Sequence, residues 1–136
     1  MDIRPLTDDY AVSPQIAAED AAAIAAAGYR TVICNRPDVE VTPELGADAI
    51  GTAVRAAGMS FVVLPLTHDT LRAQAAAQRR ARTEADGPVL AYCASGTRST
   101  LAWALGQAGA MPADDIVAAA ARAGYDIAAL RPELGG

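Results

Sequence analysis

Aromatic residues are scarce in this chain. They make up 4% of 136 residues, against 52% hydrophobic residues in all, so alanine and aliphatic side chains must fill the core and the helices must pack closely. One histidine and two cysteines cannot form a closed set of zinc ligands or a disulfide scaffold. No metal and no cofactor are therefore expected. Basic charge is also lacking: the formal net charge of −5 argues against nucleic acid or an anionic membrane as partner. The one basic cluster, Arg79-Arg80-Ala81-Arg82, sits beside Glu84 and Asp86 in a helical stretch and reads as a solvated face. The opening Met1-Asp2-Ile3-Arg4-Pro5 has no charged-then-apolar run, and no apolar segment reaches membrane-spanning length. A cytoplasmic protein is expected. Without repeats, a low-complexity tract or a linker, residues 1–136 are expected to fold as one domain, a size at which roughly two-thirds of the unfolded surface can be buried.

What is present alternates. Short β-branched or apolar runs, at Tyr10–Ser13, Arg30–Cys34, Ser60–Leu64 and Val89 onward, are separated by alanine-rich helical stretches. The first reads as an edge strand. Helices are predicted over 14–28, from the Thr42-Pro43 start to Gly58, over 70–85, after Ser99 or Thr100, over 112–123, and in a short terminal piece over 125–134. The expected fold is α/β, a mostly parallel sheet flanked by helices on both sides. In such sheets ligands bind beyond the carboxyl ends of the strands, where three polar breaks fall: Asn35-Arg36-Pro37-Asp38, Thr67-His68-Asp69 and Cys93 to Arg98.

The last break carries the chemistry. Val89-Leu-Ala-Tyr-Cys93-Ala-Ser-Gly-Thr-Arg98-Ser-Thr100 ends an apolar strand on a cysteine, passes through a glycine turn and enters a helix. Helix N–H groups and Arg98 favour the thiolate and hold an anion over its sulfur, while Gly96 permits the backbone angles of such a cradle. The alternative is an inert cysteine that merely ends a buried strand. Ala94, Ser95, Gly96, Thr97 and Ser99 are the expected anion-binding positions. Asn35 and Arg36 are candidates for pairing an anionic substrate, with a structural Arg36–Asp38 ion pair as the equally weighted alternative. Cys34 reads as core packing, or as a thiol that could resolve a persulfide on Cys93.

Val12-Ser-Pro-Gln15, Thr31 to Asp38, Gly87 to Ser99 and Ala123-Gly-Tyr-Asp126 together resemble small bacterial domains with a dual-specificity-phosphatase-like fold that occur beside or fused to β-lactamase-like hydrolases and are described as sulfurtransferases. The resemblance implies a cysteine-phosphatase-like fold, Cys93 as nucleophile and the loop through Arg98 as anion cradle. It also points to a β-lactamase-like hydrolase as partner. Cysteine phosphatases place five residues between cysteine and arginine, whereas Cys93 and Arg98 are separated by four, as in many rhodanese-type sulfurtransferases. A smaller cup suits a sulfane sulfur better than a phosphoryl group. The expected function is thus sulfur transfer through a Cys93 persulfide, from a small-molecule or protein persulfide donor to a thiol acceptor. A cysteine-dependent phosphatase with Asp69 as general acid is the alternative, although Asp69 also suits a helix cap. A non-enzymatic persulfide-binding or redox-sensing module is the third reading.

Overall fold

Residues 1–135 are described by a computed structural model. Five strands form one sheet in the order β1-β2-β5-β3-β4, with β1 (Arg4–Thr7), β2 (Tyr10–Ser13), β3 (Thr31–Cys34), β4 (Ser60–Val63) and β5 (Val89–Tyr92). Every pairing is parallel except β1 with β2. β2, β3 and β5 are buried throughout, as strands covered on both faces must be, and this explains their unbroken apolar character. The fold is the expected single-domain α/β arrangement.

Two layers of helix cover the sheet. On one face α1 (Ala21–Ala26) and α2 (Ala47–Ala56) pack Ile24, Ile50 and Val54 against Val32, Leu90 and Tyr92. On the other, α3 (Leu71–Thr83), α4 (Thr97–Gln107), α5 (Ala113–Arg122) and a terminal 3₁₀ stretch (Ala128–Leu134) enclose Trp103, Ile116 and Leu134 against Val12, Ile33 and Ala91. α4 is buried on nearly all sides. It meets α3 at Gly106, where an added Cβ would come within 3.1 Å of the Arg79 Cβ, so small residues do set this helix contact. Among the described residues no helix is long and apolar enough to cross a membrane.

Around the N-terminal half of the chain the structure departs from the sequence expectations at three places. β2 is interior, because the N-terminal strand β1 pairs outside it and takes the edge position that suits its Pro5. The helix expected over 14–28 shrinks to a 3₁₀ turn (Ala18–Asp20) and α1, since the extended segment before it lies against the cysteine loop, with the Gln15 N–H on the Ala94 carbonyl. The helix expected from Thr42 is broken at Gly46, which is extended, and α2 starts at Ala47 with its N–H on Asp38 Oδ1 at 2.8 Å. Asp38 is thus a cap.

Candidate active site

The C-terminal ends of β2, β3, β4 and β5 bring together the loops that carry the polar breaks. β5 delivers Cys93, fully buried, to the floor of a turn through Ala94, Ser95 and Gly96. Gly96 has φ of +93°, a conformation that only glycine adopts at low cost, and α4 opens on the next residue. The helix therefore begins two residues earlier than Ser99. The Gly96 N–H points at Cys93 Sγ, 3.1 Å away. Thr97 N–H and hydroxyl both engage the Ser95 hydroxyl, and the Thr100 hydroxyl donates to the Gly96 carbonyl. Ala94 and Ser95 are exposed at the mouth.

Arg98 leaves α4 with only 11% of its side chain exposed. Its Nη1 donates to Glu40 Oε2 and to the Leu66 carbonyl, each at 2.8 Å, and Nη2 donates to Glu40 Oε1 at 2.7 Å. Three of the five guanidinium N–H groups are thereby committed. The Nε–H and the second Nη2–H form the remaining edge, a parallel pair shaped for one more oxyanion. Its hydrogen bonds to Glu40 hold Arg98 still more firmly protonated, and the nearby Cys93 sulfur adds to this. In turn, Arg98 and then Arg36 keep the Glu40 carboxyl below its ordinary range.

Arg36 pairs with Glu40 at 3.3 Å and reaches Gln15 Oε1 at 3.2 Å. Its ion-pair partner is thus Glu40, two residues past the Asp38 considered from the sequence. Two guanidinium groups thus share the Glu40 carboxylate, which joins Arg36 to Arg98. Asn35 lies elsewhere. It is fully buried, donates to the Leu64 carbonyl and Gln78 Oε1, and accepts from Gln78 Nε2 and the Ser99 hydroxyl. Gln78 also donates to the Tyr10 hydroxyl. With its amide saturated and out of reach of solvent, Asn35 ties β3, α3 and the first turn of α4 together. The Ser99 hydroxyl is spent in the same network.

Asp69 is exposed in the turn before α3, which is closed by hydrogen bonds between Thr67 and Thr70, and it does not cap the helix, whose N-cap is Thr70. It stands three residues after Leu66, whose carbonyl accepts from Arg98 Nη1. Cys34 belongs to the apolar layer under α1 and α2, paired in register with Tyr92. Burial pushes its thiol up.

Two contributors were not recognised as site residues from the sequence. Glu40 had no signal, being an acidic residue in a short 3₁₀ turn. Tyr125 stood inside the quoted Ala123-Gly-Tyr-Asp126 segment, but nothing local says that its hydroxyl reaches the Ser95 carbonyl, 2.8 Å away and thirty residues distant in sequence.

Residues 2–110 match the family model described as the phosphatase-like domain of beta-lactamase hydrolase-like protein. A crystal structure from Neisseria meningitidis, described as a candidate phosphatase, shares 35% identity with a TM-score of 0.86 over 99% of this chain and 97% of that one. A Shewanella putrefaciens structure, also described as a candidate phosphatase, has a TM-score of 0.70 at 20% identity, covers 98% of this chain and 88% of its own, and is similar in fold. A Xylella fastidiosa beta-lactamase hydrolase-like protein is 32% identical over 130 residues, 93% of this chain. The chain spans 30% of that relative's length.

Proposed function

We propose, for a chain that belongs to the phosphatase-like domain family of beta-lactamase hydrolase-like proteins, that it is a cysteine-dependent phosphatase acting on phosphate monoesters. The observation that carries this reading is the Arg98 guanidinium, pinned by Glu40 and Leu66 with one two-donor edge left over. This reverses the preference for sulfur transfer drawn from loop length. The matching family model is described as a phosphatase-like domain, and the Neisseria meningitidis structure at 35% identity as a candidate phosphatase.

In the proposed reaction the Cys93 thiolate attacks phosphorus. An S–P bond forms, the ester P–O bond breaks, and Asp69 gives its proton to the leaving alkoxide. The Arg98 edge and the loop N–H groups hold the equatorial oxygens as their charge develops. Water then attacks the phosphocysteine, Asp69 takes up its proton, and cleavage of the S–P bond returns the thiolate and releases inorganic phosphate. Arg36, joined to Arg98 through Glu40, adds positive charge. The longer relative's name supports a β-lactamase-like hydrolase as the domain's functional neighbour.

Sulfur transfer retains one support, the four-residue spacing between Cys93 and Arg98. Turnover of an aryl phosphate, measured beside transfer from thiosulfate or glutathione persulfide, separates the readings. The phosphatase reading expects faster release of phosphate, lost in Cys93→Ser. Faster sulfur transfer by the wild-type protein overturns it.

A further inference from the structure

We propose that Tyr125 is a positioning residue that holds one peptide plane of the anion loop, keeping the Gly96 N–H on the Cys93 sulfur. The two hydrogen bonds involved belong to the same peptide unit. Its carbonyl, that of Ser95, accepts from the Tyr125 hydroxyl at 2.8 Å, and its N–H, that of Gly96, reaches Cys93 Sγ at 3.1 Å. In a trans peptide the C=O and N–H point in opposite directions, and no cis peptide occurs among the described residues. Fixing the oxygen therefore fixes the donor.

Such a fix matters at this position. Gly96 tolerates φ of either sign, so a Ser95–Gly96 peptide without an anchor can rotate and carry its N–H away from the sulfur. The same glycine makes room for the anchor, because a Cβ on residue 96 would lie 2.0 Å from the Tyr125 hydroxyl. The two bonds in series also polarise one another, so the hydroxyl strengthens the N–H donor it aims.

The anchor is itself held. Arg4 of β1 lies over the Tyr125 ring, 5.1 Å from its centre, and donates to the Ala123 carbonyl at 3.4 Å while pairing with Asp2. Tyr125 is 7% exposed and lies beyond residues 2–110, the part that matches the family model. Arg4 of β1 thus supports the tyrosine that holds the cysteine loop. The inference rests on Cys93 as the reactive thiol and not on what the thiol attacks.

The test is the pH midpoint of Cys93 alkylation by iodoacetamide in wild-type, Tyr125→Phe and Arg4→Met proteins, with the Gly96 amide followed by ¹⁵N NMR and folding checked by circular dichroism. Loss of one hydrogen bond is expected to raise the midpoint by about half to one pH unit in Tyr125→Phe, slowing alkylation about three- to tenfold below it. The Gly96 resonance should move, with a smaller shift in the same direction for Arg4→Met. An unchanged midpoint and an unmoved Gly96 resonance in folded Tyr125→Phe overturn the proposal. Should that variant fail to fold, Arg4→Met decides alone: a raised midpoint supports the anchor and a wild-type midpoint overturns it. A shifted midpoint in a protein that releases no phosphate from esters sustains this inference while overturning the phosphatase reading.

Discussion

Cys34 ends β3 and Cys93 directly follows β5, its neighbour in the sheet; both are 1% exposed or less and both are free thiols, yet their surroundings differ in kind. Cys34 sits in the layer under α1 and α2, and its thiol donates to the Arg36 carbonyl at 3.4 Å. Burial disfavours its ionisation, and the charge of Asp38 adds to this. Around Cys93 the polarity is opposite, with an N–H donor on the sulfur and a guanidinium near it. The chain after each cysteine makes the difference. After Cys34 it turns an asparagine inward to a closed amide network, whereas after Cys93 it makes a left-handed glycine turn into a helix start, which collects donors around one point.

The sharpest way to break this contrast is to exchange the roles. Cys93→Ser should reduce phosphate release to background while Cys34→Ala stays near the wild-type rate, as measured by steady-state assay. Equal losses in both variants would place the two thiols on the same footing. Next in size, Asp69→Asn should slow hydrolysis about 10²- to 10⁴-fold for alkyl phosphates and far less for aryl phosphates with good leaving groups. A loss independent of the leaving group would make Asp69 a turn residue only.

For Arg98→Ala the loss of charge-assisted hydrogen bonds worth about 1.5–3 kcal/mol predicts about a tenfold to hundredfold lower kcat/KM. Arg98→Lys should keep the Cys93 alkylation profile closer to wild type while losing most of the oxyanion affinity, since lysine carries the charge without the fork. Parallel behaviour of the two variants would show that charge alone matters. The smallest effect concerns Cys34. Its raised value in the folded state means that its contribution to stability is complete below the ordinary 9.0 and is lost as pH climbs above that toward the folded value. Thermal unfolding between neutral and alkaline pH should show that loss, and Cys34→Ala should flatten it.

The features legible in the sequence were those written locally. The buried runs of β3 and β5 gave a parallel sheet, and the order strand, cysteine, glycine, arginine, helix gave the turn at Gly96 and the helix start after it, because each of those residues acts on its chain neighbours. Pairing partners were less visible. β1 takes the edge outside β2 through a hairpin whose strand is only four residues long, and the Pro14 to Ala17 segment stays extended because it leans on a loop eighty residues away. For Arg36 the sequence left anion binding and an ion pair with Asp38 equally open; the ion pair that forms is with Glu40, in a turn that also serves Arg98. Asn35 has the composition of a ligand-binding residue and the surroundings of a core one. Only the positions of Gln78 and Ser99 separate those roles.

A phosphatase of this kind passes through a covalent phosphocysteine at Cys93. Acid-quenched turnover of an aryl phosphate by wild-type and Asp69→Asn protein, followed by mass spectrometry of the Cys93 peptide, tests it directly. A gain of one phosphoryl group on Cys93, absent from the Cys34 peptide and from Cys93→Ser, is the expected result. Release of phosphate while Cys93 stays unmodified, or carries an extra sulfur in place of phosphate, would contradict it.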